Sequence, residues 1–200
     1  MDKLKRILQM FIGVTIASLG MAMVLNCDLG CFVETASYKG ISNFTGLPLF
    51  LVNIGFEIII ISIATYYGEG LGWTTLVNAS YGAIMINLFH NILPHNIIFS
   101  LGIFLIPLGW STLEKSRFGA TGSNILMKSL MKKSGKSLFK VRMFIECVFL
   151  IIACIFASEY IGWFTLALTF GMPLLLKYMY KLIDHKPAKI KHEFIIGKKN

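Results

Sequence analysis

The sequence predicts an all-α membrane protein with about six transmembrane helices in two tandem inverted three-helix repeats. Three observations lead to this fold class: the composition, the length of the apolar segments, and a correspondence between the two halves of the chain. Of the 200 residues, 56% are hydrophobic and 14% are charged, and the mean hydropathy is +0.70. Soluble domains carry about 25% charged residues, so this chain has more apolar surface than its own core can bury.

The apolar residues fall in long blocks, and blocks of about 20 apolar residues are typical of membrane-spanning helices. In chain order, the predicted spans are residues 7–26, 47–68, 72–92, 97–114, 138–158 and 162–182. Two connectors, one before the second span and one before the fifth, are too short and too polar to be confident spans. We expect each connector to form a short helix that lies at the membrane interface or re-enters the protein.

The second half of the chain resembles the first at a separation of 89 residues. The corresponding pairs that carry this comparison are Gly13 with Gly102, Gly20 with Gly109, Gly30 with Gly119, Gly46 with Gly135, and Glu57 with Glu146. Glycine in a helix and glutamate inside a membrane both cost free energy, so matching glycines and glutamates are stronger evidence for a repeat than matching leucines. The register slips by one residue between "GWTT" (72–75) and "GWFT" (162–165). Because each repeat has three spans, the second copy inserts upside down, as in many secondary transporters.

The positive charges predict the orientation in the membrane. Lysine and arginine cluster near the N-terminus, in residues 115–142 and after residue 177. Cytoplasmic loops carry an excess of these residues, so we expect a multi-pass protein of a bacterial-type plasma membrane with both termini in the cytoplasm. This distribution also accounts for the net charge of +9, and nucleic acid is not an expected partner.

The chain is therefore divided into a first membrane repeat (1–94), a second membrane repeat (95–183) and a basic cytoplasmic tail (184–200). The main alternative has eight spans, with both connectors crossing the membrane. The repeats would then be parallel, and Lys115 and Arg117 would lie outside the cell, against the charge rule.

Two glutamates interrupt apolar segments, Glu57 in "NIGFEIIIISIAT" and Glu146 in "RMFIECVFLIIACIFA". A charged residue at the bilayer centre costs about 2.5–3.5 kcal/mol on insertion scales, so both are expected to face the interior of the bundle. Asn53 and Arg142 lie four residues before them and share their helix faces, and Asn78 is a further polar residue at membrane depth. The glutamates either bind a cationic group, a metal ion or a coupling proton, or they only tie helices together.

Each connector begins with a turn that contains candidate site residues. Asp28 precedes Leu29-Gly30 in the first half, and Arg117 precedes Phe118-Gly119 in the second, with Asn124 shortly after. A helix N-terminus at this position could attract an anion. The alternative is an ordinary turn with a capping residue, because Ser, Thr and Asn are common N-caps.

The order and spacing of these segments resemble the YczE/YyaS/YitT family of bacterial membrane proteins. The similar segments are "DLGCFVETASYKGISNFTGLPLFLVNIGFEIIII", "GWTTLVNASYG" and "FGATGSNILMKSLMKKSGKSLFKVRMFIECVFLI", and the resemblance covers residues 8–182. The family often has Pro-x-Asp after each glycine turn, whereas this chain has Thr35 and Asn124 in place of the aspartates. The resemblance implies an integral membrane protein of bacterial type and no particular biochemical mechanism.

These features support two functional hypotheses. The first is a small transporter-like or substrate-binding membrane protein that takes an unknown small molecule or ion at the paired glutamates. The second is a membrane accessory or regulatory protein that acts through a protein partner. A homodimer is compatible with both. The chain contains no HExxH or GxSxG motif, so we do not expect an enzyme, a catalytic residue, a metal site or a cofactor.

Overall fold

The computed structural model describes residues 3–27, 29–69, 71–96, 100–182 and 194–196. These residues are almost entirely helical, which confirms the all-α class. The elements are α1 (Lys3–Leu25), α2 (Val33–Thr45), α3 (Leu49–Tyr66), β1 (Leu71–Gly72), α4 (Trp73–Val77), α5 (Ala83–Ile92), α6 (Gly102–Lys115), α7 (Gly122–Ser134), α8 (Leu138–Phe156), α9 (Trp163–Leu182) and β2 (Phe194–Ile196). A π-helical turn, Asn78–Gly82, joins α4 to α5, and a 3-10 turn, Ser158–Tyr160, precedes α9. Strands β1 and β2 pair antiparallel.

The helices coincide with the segments that the sequence predicts. Each predicted span contains one long helix, with α4, the π-turn and α5 together filling the third, and each connector contains one helix of 13 residues. Gly46 and Gly135 end the two connector helices. Both have a left-handed backbone, and glycine is favoured there because a residue with a side chain would be strained. Asp28 and most of the predicted tail, residues 184–193 and 197–200, lie outside the described residues.

Within the described ranges, α1 is the one helix that is long and apolar enough to cross a membrane by length and composition, with a mean hydropathy of 2.0. Residues Leu51–Tyr66 of α3 form a shorter apolar helix. Buried helices of soluble proteins and signal sequences can share these properties. The N-terminal helix therefore gives weak support to the membrane class and no support to a particular number of spans.

Helices α1 and α6 pack closely through glycines. A Cβ atom on Gly20 would lie 2.7 Å from the carbonyl oxygen of Gly102, and one on Gly109 would lie 2.6 Å from that of Gly13. Gly20 and Gly109 are counterparts 89 positions apart, and so are Gly13 and Gly102. The two contacts are therefore equivalent under the correspondence of the halves. Backbones that approach this closely leave no room for a side chain, as is common where helices associate in membranes.

The connector helices pack on long helices of the opposite half. Helix α2 lies against α8, where Ser37 Oγ donates a hydrogen bond to the Phe149 carbonyl at 2.9 Å. Helix α7 lies against α3, where Ser129 Oγ donates to the Ala64 carbonyl at 3.3 Å. Each connector helix thus packs against a long helix of the other half, and residues from both halves surround the same interior.

The π-helical turn at Asn78–Gly82 lies where the register between the halves returns from 90 to 89 positions. Ten positions separate Gly72 from Gly82, whereas nine separate Gly162 from Gly171. A π-turn accommodates one additional residue within a continuous helix, and the described part of the second half has no such turn in α9. The correspondence of 89 positions therefore resumes after the turn.

Candidate functional site

A buried group of charged residues lies where α2, α7 and α8 meet. Arg142 Nε donates to Glu146 Oε1 at 2.8 Å, and Arg142 Nη2 lies 2.7 Å from the same oxygen. The predicted pair on one face of α8 is therefore present, and both residues are only 1% exposed. Arg142 Nη2 also donates to Glu34 Oε1 at 3.2 Å, and Ser123 Oγ donates to that oxygen at 3.0 Å. Arg142 thus bridges two carboxylates, one from each half of the chain.

The indole ring of Trp110 covers the guanidinium group of Arg142. The Arg142 Cζ atom lies 5.4 Å from the centre of the ring, within the range of a cation–π contact. The remaining guanidinium nitrogen, Arg142 Nη1, is buried without a hydrogen-bond partner in the described part of the structure. A buried donor left unpaired costs free energy, so this nitrogen is available to an incoming acceptor.

Glu57 reaches the same region from α3. Its Oε2 atom is buried without a hydrogen-bond partner among the described residues, and it occupies the place where a Cβ atom on Gly122 would stand. Gly122 is the first residue of α7 and Ser123 follows it, so Glu57 lies beside the residue that binds Glu34. Glu34 also lies close enough to Glu57 for the two negative charges to repel each other.

Further polar atoms in this region have no hydrogen-bond partner in the described ranges. Both amide atoms of Asn124 and the hydroxyl oxygen of Thr121 are buried and unpaired, and Asn124 is 0% exposed. Thr121 stands at the N-cap position of α7, but its side chain makes no capping hydrogen bond. The capping role expected for this connector is therefore not performed by that side chain. We name Glu34, Glu57, Asn124, Arg142 and Glu146 the polar centre.

Two of the predicted residues lie away from the polar centre. Asn53 shares a face of α3 with Glu57 but lines a separate cavity described below, and no hydrogen bond joins the two side chains. Asn78 begins the π-turn, and its side-chain oxygen faces Gly82 of the same helix. The sequence spacing placed Asn53 on the helix face of Glu57, but the Asn53 side chain lines a different space.

The connector turns have the backbone that the glycines suggest. Gly30 and Gly119 have φ angles of +118° and +127°, where side chains are strained. Arg117 is also left-handed, with φ +67°, and its side chain is exposed. Positions 72 and 162, both glycine, pack against these turns, at the Phe118 and Leu29 carbonyl oxygens respectively. The turns therefore position the connector helices, and neither turn contacts the polar centre through Gly30, Arg117 or Gly119.

A second buried charged group, which the sequence analysis missed, joins α6, α7 and α9. Lys128 Nζ donates to Glu114 Oε2 at 2.9 Å, and Tyr180 Oη donates to Glu114 Oε1 at 2.8 Å. All three side chains are buried. Glu34 of the polar centre was also missed. Neither glutamate interrupts a long apolar segment, so the signal that identified Glu57 and Glu146 was absent.

A cavity of about 590 Å³ lies among α2, α3 and α5. Lys39, Asn53, Asn87 and His90 contribute polar groups, and aliphatic side chains form most of the remaining wall. This volume and this mixture of lining groups are typical of small-molecule sites, which span about 300–1,000 Å³. The cavity is lined by none of the residues that form the polar centre.

The described residues contain no group of three or more His, Cys, Asp or Glu side chains that could hold a metal ion. Cys27 and Cys31, four positions apart, are both buried and not joined by a disulfide. Burial raises the pKa of the Cys31 thiol to about 11, so this thiol is protonated at neutral pH.

Comparison of the chain with protein-family models, with curated proteins and with solved structures gives no match. The resemblance to the YczE/YyaS/YitT family therefore stays a prediction.

Proposed function

We propose that this protein is a multi-pass membrane protein of two inverted three-helix repeats, and that its polar centre binds a proton or a small cationic ligand in a transporter-like manner. The observation that carries the proposal is the charge of the polar centre. Arg142 pairs with two carboxylates, Glu34 and Glu146, and a third carboxylate, Glu57, lies close enough to Glu34 for the two negative charges to repel. Unpaired buried charges are costly, so the excess negative charge favours a bound proton or cation.

The distribution of apolar side chains supports several membrane-spanning helices. On α8, Arg142 and Glu146 face inward, whereas the side chains of Phe144, Val148 and Ile151 are exposed. Large exposed aliphatic residues continue along α3, namely Ile54, Ile58, Ile59 and Ile63. Patches of this extent are rare on soluble monomers, and polar-inside, apolar-outside helices are typical of a lipid environment.

The arrangement of the ends supports the predicted orientation. Arg6 Nε, near the start of α1, donates to the Ser116 carbonyl at the end of α6, so α1 and α6 run in opposite directions. Lys132 pairs with Glu69 after α3, at this same end. The described basic residues concentrate there, and Lys39 lies toward the other end, over the ring of Tyr160. This asymmetry favours a cytoplasmic location for the Arg6 end.

Several pairs of contacts support the inverted repeat. Connector helices α2 and α7 begin and end 89 positions apart. Glu34 and Ser123, which are hydrogen-bonded to each other, also differ by 89 positions, as expected for residues beside a two-fold axis. The reciprocal glycine contacts between α1 and α6 have the same relation. Inverted repeats of this kind often hold a ligand site at their interface.

The test is a thermal-shift measurement on the detergent-purified protein with sodium, potassium, ammonium, tetramethylammonium and ethanolammonium ions, each at two pH values. We expect one or more cations to raise the melting temperature of the wild type. The Glu57→Gln variant should fold and should lose the cation-dependent rise, because it lacks the unpaired negative charge.

The matched control is Glu159→Gln, which removes an exposed carboxylate from the 3-10 turn and should keep the wild-type response. The proposal would be contradicted if the cations raised the melting temperature of Glu57→Gln as much as that of the wild type. It would also be contradicted if neither the cations nor pH changed the melting temperature of the wild type.

The accessory or regulatory function is a second candidate, because one specific observation favours it. Arg142 is held between two carboxylates, and the 590 Å³ cavity is lined by neither Arg142 nor Glu146. A protein that acts through a membrane partner or as a homodimer needs no open path to this centre. In that case the glutamates would stabilise the bundle, and Glu57→Gln would change only the melting temperature. We continue to predict a non-enzymatic protein.

A further inference from the structure

The 590 Å³ cavity of the first half corresponds to the Glu114 cluster of the second half. Lys39 lines the cavity, and its counterpart 89 positions away is Lys128, which binds Glu114. Glu114 itself corresponds to Leu25, which also lines the cavity. The first half therefore keeps the lysine but has an aliphatic residue where the second half has the carboxylate.

The third member of the cluster also has a partial counterpart. Tyr180 donates to Glu114 near the end of α9, and His90, near the end of α5, lines the cavity. The two residues are 90 positions apart, one position out of register. Lys39 is close enough to His90 for its charge to act on the imidazole. Lys39 is therefore the donor that lines the cavity where Lys128 holds a carboxylate in the second half, and His90 Nδ1 donates to the Asn26 amide oxygen at the cavity wall.

Lys39 has no carboxylate partner among the described residues. Its ammonium group lies 5.4 Å from the centre of the Tyr160 ring, and the side chain is half-buried. A half-buried lysine that faces a cavity without a counter-ion favours an anionic ligand.

The remainder of the cavity is apolar and extends along α5. Lining residues run from His90 back to Ala79, which is about 16 Å at about 1.5 Å per helical residue. This is about half of the ~30 Å hydrocarbon thickness of a bilayer. Ile54 and Ile84 line the cavity and are 41% and 63% exposed, so the cavity opens on the apolar outer surface of the helices.

We propose that this cavity binds a long-chain carboxylate, such as a fatty acid, with the carboxylate at Lys39 and the chain along α3 and α5. The carboxylate occupies the position that Glu114 fills in the second half. The choice of head group rests on the internal repeat proposed above. The site itself is separate from the polar centre and does not depend on cation binding there.

The test is equilibrium binding of radiolabelled palmitate to the detergent-purified full chain. Palmitate should bind the wild type, and unlabelled hexadecanol and acetate should each compete poorly because one lacks the charge and the other lacks the chain. Lys39→Met should weaken palmitate binding by about tenfold or more, the effect of losing a charge-assisted hydrogen bond. Lys136→Met, which removes an exposed lysine outside the cavity, should bind palmitate as the wild type does.

A second variant recreates the carboxylate of the other half. Leu25→Glu should place a carboxylate beside Lys39, raise the melting temperature and abolish palmitate binding. The Glu57→Gln variant should still bind palmitate, so failure of the cation site and failure of this site are distinguishable. The proposal is overturned if palmitate does not bind, if Lys39→Met binds it as tightly as the wild type, or if hexadecanol competes as well as palmitate.

Discussion

At the scale of single residues, the polar centre shows how a glycine and a glutamate depend on each other. The Glu57 carboxylate occupies the space that any side chain at position 122 would need. Because Gly122 has no side chain, the carboxylate of α3 lies against the first turn of α7, where the helix dipole favours negative charge.

This dependence makes a prediction for Gly122→Ala. The new methyl group meets only the flexible end of Glu57, so we expect a loss of about 1 kcal/mol in stability, at the low end for an overpacked core. The carboxylate must move, so the cation-dependent thermal shift should be lost as in Glu57→Gln.

The double variant Gly122→Ala/Glu57→Ala provides the control. It should be no less stable than Glu57→Ala alone, because the clash no longer exists. Unfolding of the four proteins in detergent measures this non-additivity. Additive losses of stability would show that Gly122 is required for another reason.

At the scale of helices, close approach of backbones determines the packing of α1 on α6. The sequence identified the relevant glycines by their spacing of seven and by their recurrence 89 positions later. It could not distinguish glycines that face another helix from glycines that face open space. Gly109 meets the backbone of α1, whereas Gly171 on α9 meets nothing within 4 Å.

Alanine substitutions should therefore have opposite effects at these two positions. Gly109→Ala would place a methyl group 2.4 Å from the Ala17 nitrogen, and backbone atoms there cannot yield without separating the helices. We expect a loss of about 1–3 kcal/mol or more. Gly171→Ala should be neutral or stabilising by up to about 1 kcal/mol, because alanine favours the helix. Thermal unfolding of both variants in the same detergent tests this, and equal effects would contradict the described packing.

At the scale of the whole molecule, the proposed inverted repeat predicts that equivalent positions lie on opposite sides of the membrane. Thr45 and Ser134 are both exposed and stand at the ends of the two connector helices, 89 positions apart. They are therefore a matched pair for measuring topology.

In a cysteine-free background, a membrane-impermeant maleimide added to intact cells should label Thr45→Cys and should not label Ser134→Cys. Permeabilised cells provide the control, because both positions should then react. Labelling of both variants in intact cells, or of Ser134→Cys alone, would contradict the six-span inverted arrangement and its orientation.

The all-α class, the positions of the helices and the Arg142–Glu146 pair could all be predicted from the sequence. Each of these follows from local information: the length of the apolar segments and a spacing of four residues on one helix. The sequence also indicated the correspondence of the halves, and the structure adds the π-turn at Asn78–Gly82, after which the correspondence of 89 positions resumes.

Which polar groups meet could not be predicted from the sequence, because it depends on how the helices pack. Glu34 and Arg142 are 108 positions apart, and no local pattern brings them together. Likewise, Asn53 and Glu57 share a helix face but enter different spaces, because neighbouring helices from both halves divide that face between them. Lys39 and Lys128 occupy equivalent positions, yet one is paired with a buried glutamate and the other faces a cavity. The partner of a polar side chain and the space that the side chain enters both depend on distant parts of the chain, which come together only when the protein folds.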